Sequence, residues 1–119
     1  MKYSLKTTAI CAAALASGLI LAAPAQAAEP IEGNWKTEAG ETAGISPCGG
    51  AFCITVKTGQ YAGKRIGRMT GSGNSYSGTV TDPSDGKKYS GSVSISGKSM
   101  KLRGCALKVF CKTQRWKKL

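Results

Sequence analysis

A chain of 119 residues can form one small domain and no more. It carries 17 Lys and Arg against 6 Asp and Glu and has no His, so the commonest general base and the commonest metal ligand are both missing. The formal net charge of +11 favours anionic partners, whether lipid head groups, cell-wall polymer or nucleic acid.

Residues 1–27 read as a secretory signal peptide: Lys2 and Lys6, an apolar run from Ala9 to Ala23, then Ala25-Gln26-Ala27 ahead of the cleavage point. The run is rich in Ala, ends in Pro24 and has no second apolar run behind it, which argues against a membrane anchor. Cys11 lies inside it and leaves with it. The expected mature chain, residues 28–119, is a single small domain directed to the periplasm or the medium. Its 92 residues hold 18 large apolar side chains (Ile, Leu, Val, Met, Phe, Trp), a thin supply for a core, and chains this small usually need cross-links.

Residues 28–30 read as a short flexible leader. Period-two alternation then marks the strands. Ile31, Gly33 and Trp35 fall on one face, as do Ile54 with Val56 and Tyr76 with Gly78 and Val80. The clearest strand sets Tyr89, Gly91, Val93 and Ile95 against Ser90, Ser92, Ser94 and Ser96; after it, Met100 and Leu102 face opposite to Lys101 and Arg103. Around Ile66 and Met69 the alternation weakens, and near Leu107, Val109 and Phe110 both faces carry apolar residues. The stretches "GSGN" at 71–74 and "SGKS" at 96–99 are hairpin turns. No segment after residue 27 is long and amphipathic enough to be a helix. The expected fold is all-β: a small antiparallel meander that closes into a barrel or folds into a sandwich.

Asp82 and Asp85 are the only carboxylates after Glu41. In Asp82-Pro83-Ser84-Asp85-Gly86 the Pro presets φ, the aspartates accept from nearby N–H groups and the Gly takes the left-handed position, which is the chemistry of a turn. Calcium would need more oxygen ligands than these two groups supply.

Four cysteines remain in the mature chain, Cys48 and Cys53, Cys105 and Cys111. An even number in an exported chain points to two disulfides, and of the three pairings the local one, 48 with 53 and 105 with 111, is favoured. Each short loop closed contributes about 2 kcal/mol. The C-x4-C and C-x5-C spacings suit neither a four-thiolate zinc site nor a thioredoxin-type redox pair.

The stretch "SGTVTDPSDGKKYSGSVSISGKSMKLRGC" resembles the central part of the bacterial domain-of-unknown-function family 2147. Asp82, Pro83, Gly86 and Tyr89 fit its D-P-x-x-G-K-x-Y motif and Gly104 the Gly ahead of its last hairpin. Gly33 and Trp35 fit an opening G-x-W, Pro47-Cys48-Gly49 and Cys53 a cysteine loop, and Gln114 and Trp116 the end. The resemblance implies an exported, lipocalin-like or calycin-like small barrel of unassigned function. In calycin-type barrels the G-x-W tryptophan packs under a basic side chain of the last strand, which here would be Lys118 or Arg115. The chain departs from the family pattern with Trp116-Lys117-Lys118 in place of Trp-x-Arg and with Ile54 after the second cysteine.

No nucleophile-and-base set, phosphate loop or dinucleotide fingerprint is present, so the reading is of a non-catalytic protein that uses no cofactor and no metal. Two binding modes follow. One is a carrier of a small apolar or amphipathic envelope molecule, with Tyr76, Tyr89, Ile95 and Met100 as the lining. The other is a basic module that docks on an anionic envelope surface or a partner protein through the tail, with Lys112, Arg115, Lys117 and Lys118 around Trp116. Export argues against nucleic acid, and the positive charge argues against inhibition of lysozyme, a basic target.

Overall fold

A computed structural model describes residues 28–107 and 109–119; residues 1–27, read above as a signal peptide and including Cys11, lie outside the described residues. The chain forms eight antiparallel strands: β1 Gly33–Lys36, β2 Thr42–Cys48, β3 Ala51–Val56, β4 Arg65–Ser72, β5 Ser75–Thr81, β6 Lys88–Ser96, β7 Ser99–Ala106 and β8 Phe110–Lys118. Each pairs with the next, and β8 returns to β1, so the meander is a closed barrel. Closure pairs the end of β8 with β1 and so shortens the exposed sheet edges that a flat meander would leave.

Alternation decides which residues face inward. Tyr76, Val93, Met100 and Leu102 are buried, while Ser92, Ser94, Lys101 and Arg103 on the same strands are exposed. The weak pattern near Ile66 has a physical cause: the β3–β4 register shifts between Ile54 and Thr55, with Gly67 opposite Ile54 and Arg65 opposite Thr55. The bulge leaves Ile66 as an extra residue and breaks the period of two, so Ile66 and Gly67 are both buried. Strand β2 had no alternation strong enough to mark it. Its inward residues, Ala43 and Ile45, are few and small, and Pro47 reads as a strand breaker, although it sits in the ladder opposite Phe52.

One end of the barrel is closed by residues 29–32, which are tied down and do not form the loose leader their composition suggests. The Trp35 ring is fully buried, and its Nε1–H donates to the Ile31 carbonyl at 2.9 Å. Lys118 Nζ lies 4.8 Å from the Trp35 ring centroid and donates to the carbonyls of Pro30 and Glu32. A cation over an indole is favourable, and three donors on one ammonium let Lys118 hold both the ring and the strap. Glu29 Oε1 accepts from the Gly73 N–H at 2.9 Å and from the Tyr76 hydroxyl at 3.1 Å.

Burial, reinforced by the Glu29 carboxylate, pushes the Tyr76 hydroxyl from its ordinary 10 up to about 12. A group whose folded pKa is raised contributes stability below its unfolded pKa and loses it as pH rises through the folded value. The domain is therefore expected to lose stability between about pH 10 and 12, and Tyr76→Phe to remove that part of the alkaline transition. Urea midpoints of both proteins across this range check it.

Both disulfides are local. Cys48 pairs with Cys53 across the β2–β3 hairpin and Cys105 with Cys111 across β7–β8, with Cα atoms 5.8 and 4.0 Å apart. The turn at 82–86 forms as its composition dictates. Asp82 Oδ1 accepts from the Ser84 N–H and hydroxyl, Asp85 Oδ1 accepts from the Lys87 N–H at 2.8 Å, and Gly86 takes φ 76°.

Candidate functional site: a cup at the open end

The opposite end of the barrel is open, for two reasons that can be read from the strands. Strand β1 has only four residues, and β8 meets it at only two positions, Trp35 opposite Lys118 and Lys36 opposite Lys117. From Arg115 toward Phe110 the outer edge of β8 therefore has no strand beside it; Glu38 reaches over and accepts the Arg115 N–H at 2.7 Å. The second reason is a row of glycines. Gly78, Gly91 and Gly104 lie opposite one another across β5, β6 and β7, and Lys112 continues the row on β8. All four positions face inward, and three of them contribute no side chain.

The result is a cup of about 190 Å³. Its apolar wall and floor are Ile66, Val80, Leu102 and Trp116, and its rim carries Tyr89, Asp82, Lys112 and Gln114. On β8 the inward positions 112, 114 and 116 run from rim to floor. Lys112 and Gln114 are exposed although they point into the barrel, and Trp116 is buried, which is the burial gradient of a vessel open at one side. Trp116 Nε1–H donates to Gln114 Oε1 at 2.9 Å, leaving the Gln114 amide hydrogens for another acceptor. Lys112 Nζ stands 5.8 Å from the centroid of the Tyr89 ring. Across the rim, hydrogen bonds from the Ser84 hydroxyl and N–H, with smaller help from Lys112 and Lys87, hold Asp82 below the usual carboxylate range. The rim is thus an ammonium, an ionised carboxylate and an amide over an apolar floor.

Of the four residues read as lining from sequence, only Tyr89 borders the cup. Tyr76, Ile95 and Met100 face inward but are buried in the core: Tyr76 is bonded to Glu29 at the closed end, and Ile95 sits opposite Met100, whose other neighbour is Trp116. Inward orientation is shared by core and cavity alike, and depth along the barrel separates them.

The tail read as one basic surface, with Lys112, Arg115, Lys117 and Lys118 around Trp116, is divided in the same way. Period-two alternation splits residues 112–118. Lys112 turns to the cup, Trp116 is its buried floor, and Lys118 closes the far end, so that of these cations only Arg115 and Lys117 point outward, with Thr113 beside them. A buried Trp116 cannot anchor an interface. Gln114, Ile66, Val80, Leu102 and Gly104 were not singled out as lining. The spacing of 13 residues between Gly78, Gly91 and Gly104 is the sequence signal that could have located them, since it repeats one inward glycine per strand.

A family model described as "Uncharacterized protein conserved in bacteria (DUF2147)" matches residues 57–118. The chain belongs to the DUF2147 family. The matched span runs from the loop ahead of β4 to the end of β8 and includes every residue of the cup, so the resemblance noted from the D-P-x-x-G-K-x-Y motif holds there. The DUF2147 match does not reach Trp35, Cys48 or Cys53, which lie in the first three strands. No curated protein and no solved structure matches the chain.

Proposed function

We propose that this DUF2147 domain is an exported, non-catalytic binding protein whose cup takes a small amphipathic molecule of the cell envelope. The observation that carries the reading is the exposure of inward-facing Lys112 and Gln114 above the buried floor of Trp116. In a barrel this small, inward positions are ordinarily filled with packed apolar side chains. A volume of 190 Å³ is somewhat larger than the ~150 Å³ apolar cavity that admits a benzene ring. The ligand's apolar end would rest on Leu102, Ile66 and Trp116. Its head would meet the Lys112 ammonium and the Gln114 amide, with Asp82 opposite disfavouring heads of high negative charge.

Octanoate is a suitable probe, followed by heteronuclear NMR. Shifts confined to Tyr89, Leu102, Gln114 and Trp116 are expected, and Gly104→Leu, which fills the row beside Tyr89, is expected to weaken binding at least about tenfold, the scale of losing one apolar contact of ~1.4 kcal/mol. An octanoate response spread over the outer strands, or one indifferent to Gly104→Leu, would remove the carrier reading. Native mass spectrometry of protein purified from the periplasm, followed by solvent extraction, identifies the natural ligand.

A second reading is favoured by the outer face of β6–β8. There Lys101 lies opposite Arg115, Arg103 opposite Ser92, and Lys117 opposite Ser99. Like charges directly opposite are destabilising, so this face is suited to an anionic polymer of the envelope. Binding that falls steeply between about 50 and 300 mM salt and is lost on Arg115→Glu supports it.

A further inference from the structure

The turn between β7 and β8 and the first residue of β8 leave three large apolar residues uncovered: Leu107 is 83% exposed, Val109 71% and Phe110 67%. They stand at the tip of a hairpin closed by Cys105–Cys111 directly behind it. A groove separates this tip from the start of β6, and Lys87, Lys88 and Lys112 line it together with Leu107, Val109 and Phe110. Leu107, Val109 and Phe110, with Lys108 among them in the sequence, present apolar groups at a protruding tip beside lysines whose long stems can reach back to phosphate, which suits a bilayer leaflet, hydrocarbon below and phosphate above. We propose that this hairpin tip inserts into the surface of a bilayer containing anionic phospholipid, with Lys87, Lys88 and Lys112 at the level of the phosphates.

A bilayer is favoured over the other occupants by area and by charge. A stable protein interface needs roughly 1,000 Å² or more, and a tip of three side chains supplies far less, whereas a leaflet closes around a single wedge from every side. A second copy docked tip to tip would bring the same lysines together. Asp82 and Asp85 at the neighbouring turn are engaged with Ser84 and the Lys87 N–H, and the 15 Lys and Arg against 6 Asp and Glu of residues 28–119 supply long-range attraction to an anionic surface. The disulfide fixes the hairpin before contact, so insertion orders little additional chain. Lys112 belongs both to this edge and to the cup's rim, so the docked barrel would turn its mouth toward the membrane. Tip insertion itself does not depend on whether the cup holds a ligand.

The test is flotation of the oxidised protein, freed of its leader, with unilamellar vesicles of phosphatidylethanolamine and phosphatidylglycerol, and in parallel with phosphatidylcholine alone. Binding to the anionic vesicles is expected, with at least about tenfold less on phosphatidylcholine, since both apolar and ionic terms contribute. Phe110→Asp and Lys87→Glu/Lys88→Glu are each expected to reduce it about tenfold or more while leaving the unfolding temperature unchanged, because these side chains are exposed. Phe110→Trp places a reporter at the tip, and its emission should shift to the blue and be quenched by lipids brominated in the acyl chain. Failure to float with anionic vesicles, flotation indifferent to Phe110→Asp, or an unquenched Phe110→Trp would each overturn the proposal. So would a dimer in sedimentation equilibrium that Phe110→Asp dissociates.

Discussion

Trp35→Ala is expected to lower the unfolding free energy by about 3–5 kcal/mol, a large part of the ~5–15 kcal/mol that a domain of this kind possesses. The indole is fully buried beneath Lys118 and donates to the Ile31 carbonyl. Its removal leaves a cavity at the closed end and takes away the surface on which residues 29–32 lie. The Lys118 ammonium loses its ring, and the Ile31 carbonyl loses its donor. At about 4–8 °C per kcal/mol for a domain of this size, the melting temperature should drop by more than 10 °C. Urea denaturation of the oxidised protein measures the loss, with Leu107→Ser as an exposed-site control that should not move. A change below about 1 kcal/mol for Trp35→Ala would mean that the strap, rather than the indole, closes this end.

Gly78→Val should have an effect at least as large, for a reason no contact list of the native side chains contains. A Cβ on Gly78 would overlap the Arg68 carbonyl and crowd Met69 Cα on the neighbouring strand, so β4 and β5 would have to part. Overpacking against flexible side chains costs about 1–3 kcal/mol; here the obstacle is backbone, and we expect Gly78→Val not to accumulate as a folded barrel and Gly78→Ala to be folded but well below wild type. Gly73→Ala provides the contrast. Its φ is +62° and nothing lies within 4 Å of the added Cβ, so only the left-handed conformation is penalised, at about 1 kcal/mol. Far-ultraviolet circular dichroism through a urea titration ranks the three. Equal losses at 78 and 73 would show that conformational freedom, and not space, keeps Gly78.

The two glycine effects also explain the cup. Gly91 gives room to the Met69 and Val80 side chains, and Gly104 to Tyr89, whose Cβ would sit 3.2 Å from an added Cβ. The same absence of side chains that lets strands and neighbours approach in the lower barrel leaves unfilled space near the rim, where β1 is too short to cover it. Stability and a binding volume therefore arise from one row of residues, and filling it at Gly104 tests the second without the backbone clash present at Gly78.

Much of this architecture was legible in the residues themselves. Alternation from Tyr76 to Leu102 specified the central strands and their inward faces, because a period of two is a local property of an extended backbone. The turn at 82–86 followed from Asp, Pro and Gly chemistry, and the local pairing of the cysteines was the favoured one of three. Where the local pattern failed, pairing between strands had intervened: the bulge between Ile54 and Thr55, and the ladders with β1 and β3 that hold a β2 of weak inward pattern.

The candidate site was less legible. Sequence assigned inwardness to Tyr76, Tyr89, Ile95 and Met100 alike and grouped Lys112 with Lys118 by proximity in the chain. Only closure of the barrel set their depth, placing Tyr89 and Lys112 at an open rim and Tyr76 and Lys118 at the sealed end. Alternation gives a residue its side of the sheet, whereas the stagger and unequal lengths of eight strands decide how far along the barrel it lies, and that depends on every pairing at once.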